Sequence, residues 1–178
     1  MKSKKLNGGY DMIAGGYSDN VLCDLTGGIG VYTGAMDKLE LKFVQYFMQN
    51  CLCVSSQGSQ CPKSHVDVHY GRTNIANPIK SNKKVDASEY GGLDRVPHAY
   101  SMLKFLPDTE LTDGTFVNLI ILRNPWGRYE WTGPFSDNDE YHWSRIKDPR
   151  IRNLRIQKDE GTFVMRFTDW RRQFEALR

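Results

Sequence analysis

The feature that most constrains this 178-residue sequence is a pair of β-patterned runs, His98 to Leu106 and Phe116 to Asn124, joined by a segment dense in turn formers. That connection, Pro107 to Thr115, carries Pro107, Asp108, Asp113 and Gly114, which suit a reversal of the backbone. An antiparallel hairpin follows. If its strands pair symmetrically about residue 111, residues whose numbers sum to 222 oppose one another, and His98 and Asn124 are such a pair. Directly opposed residues hold their Cβ atoms about 5 Å apart on one face. An Asn carbonyl there can accept a hydrogen bond from an imidazole N–H, which fixes the tautomer and leaves the other ring nitrogen as a base. Pro125 helps by favouring extended backbone at Asn124. Spacing alone leaves a second reading open, in which His98 simply packs at the start of a strand.

The rest of the pattern is mixed. Residues 6 to 34, punctuated by Gly8-Gly9, Gly15-Gly16 and Gly27-Gly28, read as ordered loop with short extended stretches. Asp37 and Glu40 have capping-box spacing, and Leu39, Phe43, Val44, Phe47 and Met48 share an apolar face, predicting a helix from about 37 to 49. Cys51 to Val54 reads as a short buried strand, and residues 55 to 92, poor in large aliphatics, as a long, partly disordered surface insertion. A late strand from Thr162 to Phe167 precedes a helix N-capped by Thr168, with Trp170, Phe174 and Leu177 on its apolar face.

Composition narrows the function classes. At roughly 150 residues per domain, residues 1–178 form one domain, and 39% hydrophobic with 12% aromatic residues excludes disorder of the whole chain. The longest apolar run, Leu119 to Leu122, is far short of the roughly 20 residues of a membrane helix. The start of the sequence, basic but followed by Leu6-Asn7-Gly8-Gly9, does not read as a signal peptide. Four cysteines without such a signal point to a reducing, cytoplasmic setting. A net charge of +3 is too small for a nucleic-acid binder. From Arg145 to Arg178, however, ten Lys and Arg stand against five Asp and Glu, either a solvated face or a grip for phosphate or an acidic partner. Cys51, Cys53, Cys61, His65 and His69 could in principle hold zinc, but Cys-x-Cys on a strand is not a knuckle spacing, so zinc is not expected.

Three blocks carry a resemblance: Pro97-His98-Ala99-Tyr100-Ser101; Leu122-Arg123-Asn124-Pro125-Trp126-Gly127 with Glu130-Trp131-Thr132-Gly133-Pro134-Phe135-Ser136-Asp137; and Gly161-Thr162-Phe163-Val164-Met165-Arg166-Phe167-Thr168-Asp169. Together with Lys5-Leu6-Asn7-Gly8-Gly9-Tyr10 and Asp24-Leu25-Thr26-Gly27-Gly28, they resemble the second subdomain of the protease core of the calpain family of calcium-dependent cysteine proteases. The resemblance implies the second lobe of a papain-like protease: α+β, β-dominant, a twisted antiparallel sheet with a few flanking helices. It assigns the general base to His98, the orienting group to Asn124, and the indole that shields their bond to Trp126. One departure is Pro97, where the family usually has Gly.

The nucleophile is another matter. The family's catalytic cysteine lies in an earlier subdomain in a Gly-x-Cys-Trp setting, and none of Cys23, Cys51, Cys53 or Cys61 has that context. The resemblance therefore implies half an active site, whose partners are the Cys-bearing first subdomain of the same protein and protein substrates. The alternative is a non-catalytic calpain-like scaffold. The resemblance also implies one Ca²⁺, held by Glu130 and Asp137 from one loop and by the Lys158 carbonyl and Glu160 from another. Thr162 stands where a Glu is usual, so one charged ligand is lost and weak binding is expected. These carboxylates could instead solvate two surface loops or pair with Arg128 and Lys158.

Overall fold

The computed structural model describes residues 18–34, 36–51, 53–57, 98–158, 160–174 and 176–178. These fall into two compact units, one holding residues 18–30 and the other the remainder.

In the first unit Ser18–Thr26 forms helix α1, where the glycine-punctuated pattern suggested loop and extended stretches. Gly27-Gly28 follows the helix rather than preventing it. Gly27, at φ 72°, ends it by donating its N–H to the Cys23 carbonyl, and the Thr26 hydroxyl donates to the Leu22 carbonyl at 2.7 Å.

The second unit is built on a five-stranded antiparallel sheet. Its strands are β1 (Val54–Gln57), β2 (His98–Glu110), β3 (Phe116–Arg123), β4 (Thr162–Arg166) and β5 (Ala176–Leu177), in spatial order β4-β3-β2-β1-β5. Helices α2 (Leu41–Asn50), α3 (Glu140–Ser144), α4 (Pro149–Arg152) and α5 (Phe167–Gln173) complete it, giving the expected α+β architecture. The centre of β3 is buried on both faces. Ile120 and Leu122 pack with Tyr100, Phe163, Met165 and Trp170 on one side, while Leu119 and Ile121 pack with Phe135, Trp143, Ile146 and Val164 on the other. A strand covered on both faces reads as a continuous apolar run, which is what Leu119 to Leu122 is.

Several expected boundaries move, each for a physical reason. The helix expected from 37 to 49 splits into a 3₁₀ turn at Met36–Lys38 and α2, whose N-cap, Glu40, makes no capping bond and instead pairs with Lys42 at 3.0 Å. Val44 is fully buried on α2, but Phe43 is largely exposed. β1 begins at Val54 and runs into the polar stretch read as insertion. Ser55 and Ser56 belong to the sheet because their backbone pairs with β2 on one side and β5 on the other. Residues 58–97 lie outside the described set, and with them the rest of that insertion, Pro97, Cys61, His65 and His69. At the other end α5 starts at Phe167 rather than being capped by Thr168, and Arg166 grips Asp169 through two bonds of 2.6 and 3.1 Å. Leu177, expected on the helix face, is instead in β5 opposite Ser55.

The hairpin forms, with a different register. β2 continues through Pro107 to Glu110, so the turn shrinks to the residues between Leu111 and Thr115, with Gly114 at φ 80°. Two β-bulges on β2, between Met102 and Lys104 and between Leu106 and Thr109, each take up one residue. Asp108 sits in the second at φ 46°, its N–H bonded to Asn118 Oδ1 at 2.9 Å. Near the site end Ser101 pairs with Arg123, so the direct opposition of His98 and Asn124 does not hold. Continued one residue, this register brings Asn124 across from Tyr100, two residues from His98, a diagonal neighbour rather than a direct one. On its other side His98 pairs with Gln57.

Candidate functional site

Asn124 directly follows β3 and is completely buried. Every polar group it carries is engaged. Its backbone N–H donates to the Gly161 carbonyl at 2.7 Å and its carbonyl accepts from Gly127 N–H at 3.0 Å. Its Nδ2 donates to the carbonyls of Arg128 at 2.7 Å and Tyr129 at 3.4 Å, and its Oδ1 accepts the Trp126 N–H at 3.0 Å. The amide is thus locked by the loop that Pro125 and Gly127 (φ 70°) turn back on it. Since a carbonyl oxygen can accept two hydrogen bonds, Oδ1 is compatible with a second donor. Trp126 is half exposed and packs edge-on against Tyr129, ring centroids 6.4 Å apart, and Arg128 lies over the Tyr129 ring at 4.9 Å. The backbone places His98 at the first residue of β2, on the strand next to the one that delivers Asn124.

A second cluster lies on the same loop. Glu130 Oε1 accepts the N–H groups of Glu160 at 2.8 Å and Gly161 at 2.6 Å, tying the loop after Asn124 to the one before β4. Its carboxylate faces Asp137, which is buried and whose Oδ2 makes no hydrogen bond among the described residues. Burial first, and then the neighbouring Glu130 carboxylate, push the Asp137 carboxyl up to about 7, against the opposing pull of the Lys158 N–H and the Arg155 guanidinium. Two acids held this close, one of them buried, are of the kind that a hard cation suits. Of the other two expected ligands, the Lys158 carbonyl accepts Glu160 N–H at 2.9 Å. The Glu160 carboxylate is turned towards Thr162 N–H at 3.2 Å and Arg123 at 3.5 Å. The structure therefore joins Glu130 with Asp137 and brings in Glu160 through its backbone. Among the described residues no three acidic, His or Cys side chains converge as a metal site.

The cysteines described here are free thiols. Cys53 is buried, and desolvation followed by the nearby Cys51 pushes its thiol up to about 11, the reverse of what a nucleophile needs. Two contributors escaped the sequence reading. Gly161, at φ 92°, receives Asn124 N–H and sits so close to Gly127 and Asn124 that no side chain fits; a glycine just before a strand was the available signal. Arg155 donates from Nε to the Asp137 carbonyl at 2.8 Å, a contact across 18 residues that no local pattern announces.

Comparison with known proteins agrees with these blocks. The family model described as "Calpain family cysteine protease" matches residues 2–178. The calpain-1 catalytic subunit of Rattus norvegicus is 31% identical over 173 residues, covering 97% of this chain and 21% of the rat protein. That of Mus musculus is 30% identical and that of Gallus gallus 29%, over similar spans. The chain thus spans about a fifth of the length of these relatives.

Proposed function

Since the chain belongs to the calpain family of cysteine proteases, we propose that it supplies the His98/Asn124 half of the active site of a calcium-dependent endopeptidase acting on protein substrates. The observation that carries this reading is the buried amide of Asn124, held at both Nδ2 and Oδ1 and presented by the strand next to the one that begins with His98. In this mechanism Asn124 Oδ1 accepts one imidazole N–H and holds the tautomer. The other ring nitrogen of His98 takes the proton from a cysteine thiol on the first subdomain, and the thiolate attacks the scissile carbonyl. The imidazolium then returns the proton to the leaving amine. Trp126, on the same loop, shields the His98–Asn124 bond from water. The free thiols agree with a cytoplasmic, reducing setting. By itself the chain is expected to show no turnover of a fluorogenic peptide. Turnover that disappears when one of its own cysteines is replaced would overturn the reading.

For the calcium-dependent part, Glu130 and Asp137 would hold the cation, with backbone carbonyls such as that of Lys158 completing the shell. When bound, the ion supplies the positive charge that lets both carboxylates ionise side by side. The sign of the pH effect follows from Asp137. Its folded pKa lies above the ordinary 3.8, so its share of stability is fully present below about 4 and is lost as pH rises through about 7. In calcium-free buffer the Tm is expected to fall between pH 5 and pH 8. Millimolar calcium should restore it at pH 8 and change little at pH 5, with binding weaker than the micromolar range because Glu160 does not add its charge. Thermal melts at both pH values check this. A calcium-induced shift that is equal at pH 5 and pH 8 would remove Asp137 from the site.

A further inference from the structure

The structure shows how the basic segment from Arg145 to Arg178 is used. Five of its cations are committed to carboxylates: Arg145 to Asp113, Lys147 to Glu110, Arg150 to Asp148, Arg155 to Glu140 and Arg166 to Asp169. Arg152, exposed at the end of α4, makes no side-chain hydrogen bond or ion pair among the described residues. It faces a shallow concavity together with Glu140, Asn153, Arg155 and Gln157. We propose that this concavity is an anion site that accepts a phosphate group.

Three features support it. Arg155 is preorganised: its side chain is only 14% exposed, its Nε is fixed on the Asp137 carbonyl, and the residue lines the concavity. The group now on that face is the Glu140 carboxylate, 2.6 Å from NH1 but with its side chain 80% exposed. It is a solvent-exposed, singly charged occupant of the position a phosphate oxygen would take. A dianion meets two guanidiniums at once, and paired Arg forks suit phosphate geometry. Asn153 and Gln157 also line the concavity, and their residue type offers amide donors. The site is independent of His98 and Asn124.

Calorimetric titration of the chain in calcium-free buffer tests it, using inorganic phosphate, a phosphoserine peptide and the same peptide unphosphorylated. Both phosphate-bearing probes are expected to bind and the unphosphorylated peptide not. R152Q breaks no side-chain hydrogen bond among the described residues and is expected to weaken binding about tenfold. E140Q, which removes the competing carboxylate, should tighten it about threefold. A phosphopeptide that binds well above inorganic phosphate identifies a phosphorylated polypeptide as the source, and equal affinities identify free phosphate; both support the site. Unchanged affinity in R152Q, weaker binding in E140Q, or no heat with phosphate at tens of millimolar would overturn it.

Discussion

Replacing His98 with Ala in the proposed full-length protease is expected to abolish peptide hydrolysis, lowering kcat/KM by about 10⁴ or more. Asn124→Ala should be milder in chemistry, by roughly 10². Proton transfer needs the imidazole itself, whereas orientation can be partly supplied by the surroundings. The structure adds a complication for Asn124. Its side chain also satisfies the Arg128 and Tyr129 carbonyls and the Trp126 N–H inside the protein. Alanine would strand these groups, at about 1–3 kcal/mol each where they remain dry. Asn124→Ala should therefore lose stability as well as rate, while His98→Ala loses rate at little cost in Tm. Steady-state kinetics beside thermal melts separate the two, and Asn124→Asp gives a third reading, since it keeps the shape and the acceptor but loses the Nδ2 donor. Wild-type rates for Asn124→Ala would remove Asn124 from the catalytic unit.

The hairpin, the buried run Leu119–Leu122 and the late strand were legible because each is a local pattern. What escaped was set at a distance. The register shifted because Pro107 and Asp108, which look like turn residues, sit in a bulge of a strand that keeps going, and a bulge leaves no signature beyond such residues. Ser55 and Ser56 joined the sheet through backbone pairing with two strands, to which side-chain hydropathy is blind. Helix α1 was hidden by the glycines that end it. In the candidate site, the motif picked out Asn124, which the structure buries and ties into the following loop. The meeting of Glu130 with Asp137 and the turning of Glu160 towards Arg123 depend on how two loops pack, which residue type alone does not encode.

That packing makes Gly161 a position where one added methyl group should do severe structural harm. At φ 92° its backbone already disfavours any side chain, and a Cβ there would lie 2.5 Å from the Asn124 carbonyl oxygen and 2.9 Å from Gly127 Cα. Both obstacles are backbone, so no flexible side chain can swing aside. Relief requires the loop before β4 to retreat from the loop after β3. The bonds in its path are Asn124 N–H to the Gly161 carbonyl at 2.7 Å and Gly161 N–H to Glu130 at 2.6 Å. Gly161→Ala is thus expected to cost on the order of 3–5 kcal/mol, a large part of the stability of a domain this size. It should also weaken activity of the intact enzyme and blunt the calcium-induced Tm shift at pH 8, because the same movement displaces Asn124 and Glu130. Gly114 is the internal control. It has a similar φ of 80° but open space around its Cα, so Gly114→Ala should cost only the left-handed penalty of about 1–2 kcal/mol and leave calcium and activity untouched. Urea unfolding of the two variants decides the matter: equal losses would mean that the loops around Asn124 are not in close contact, and the site geometry built on that contact would fall with it.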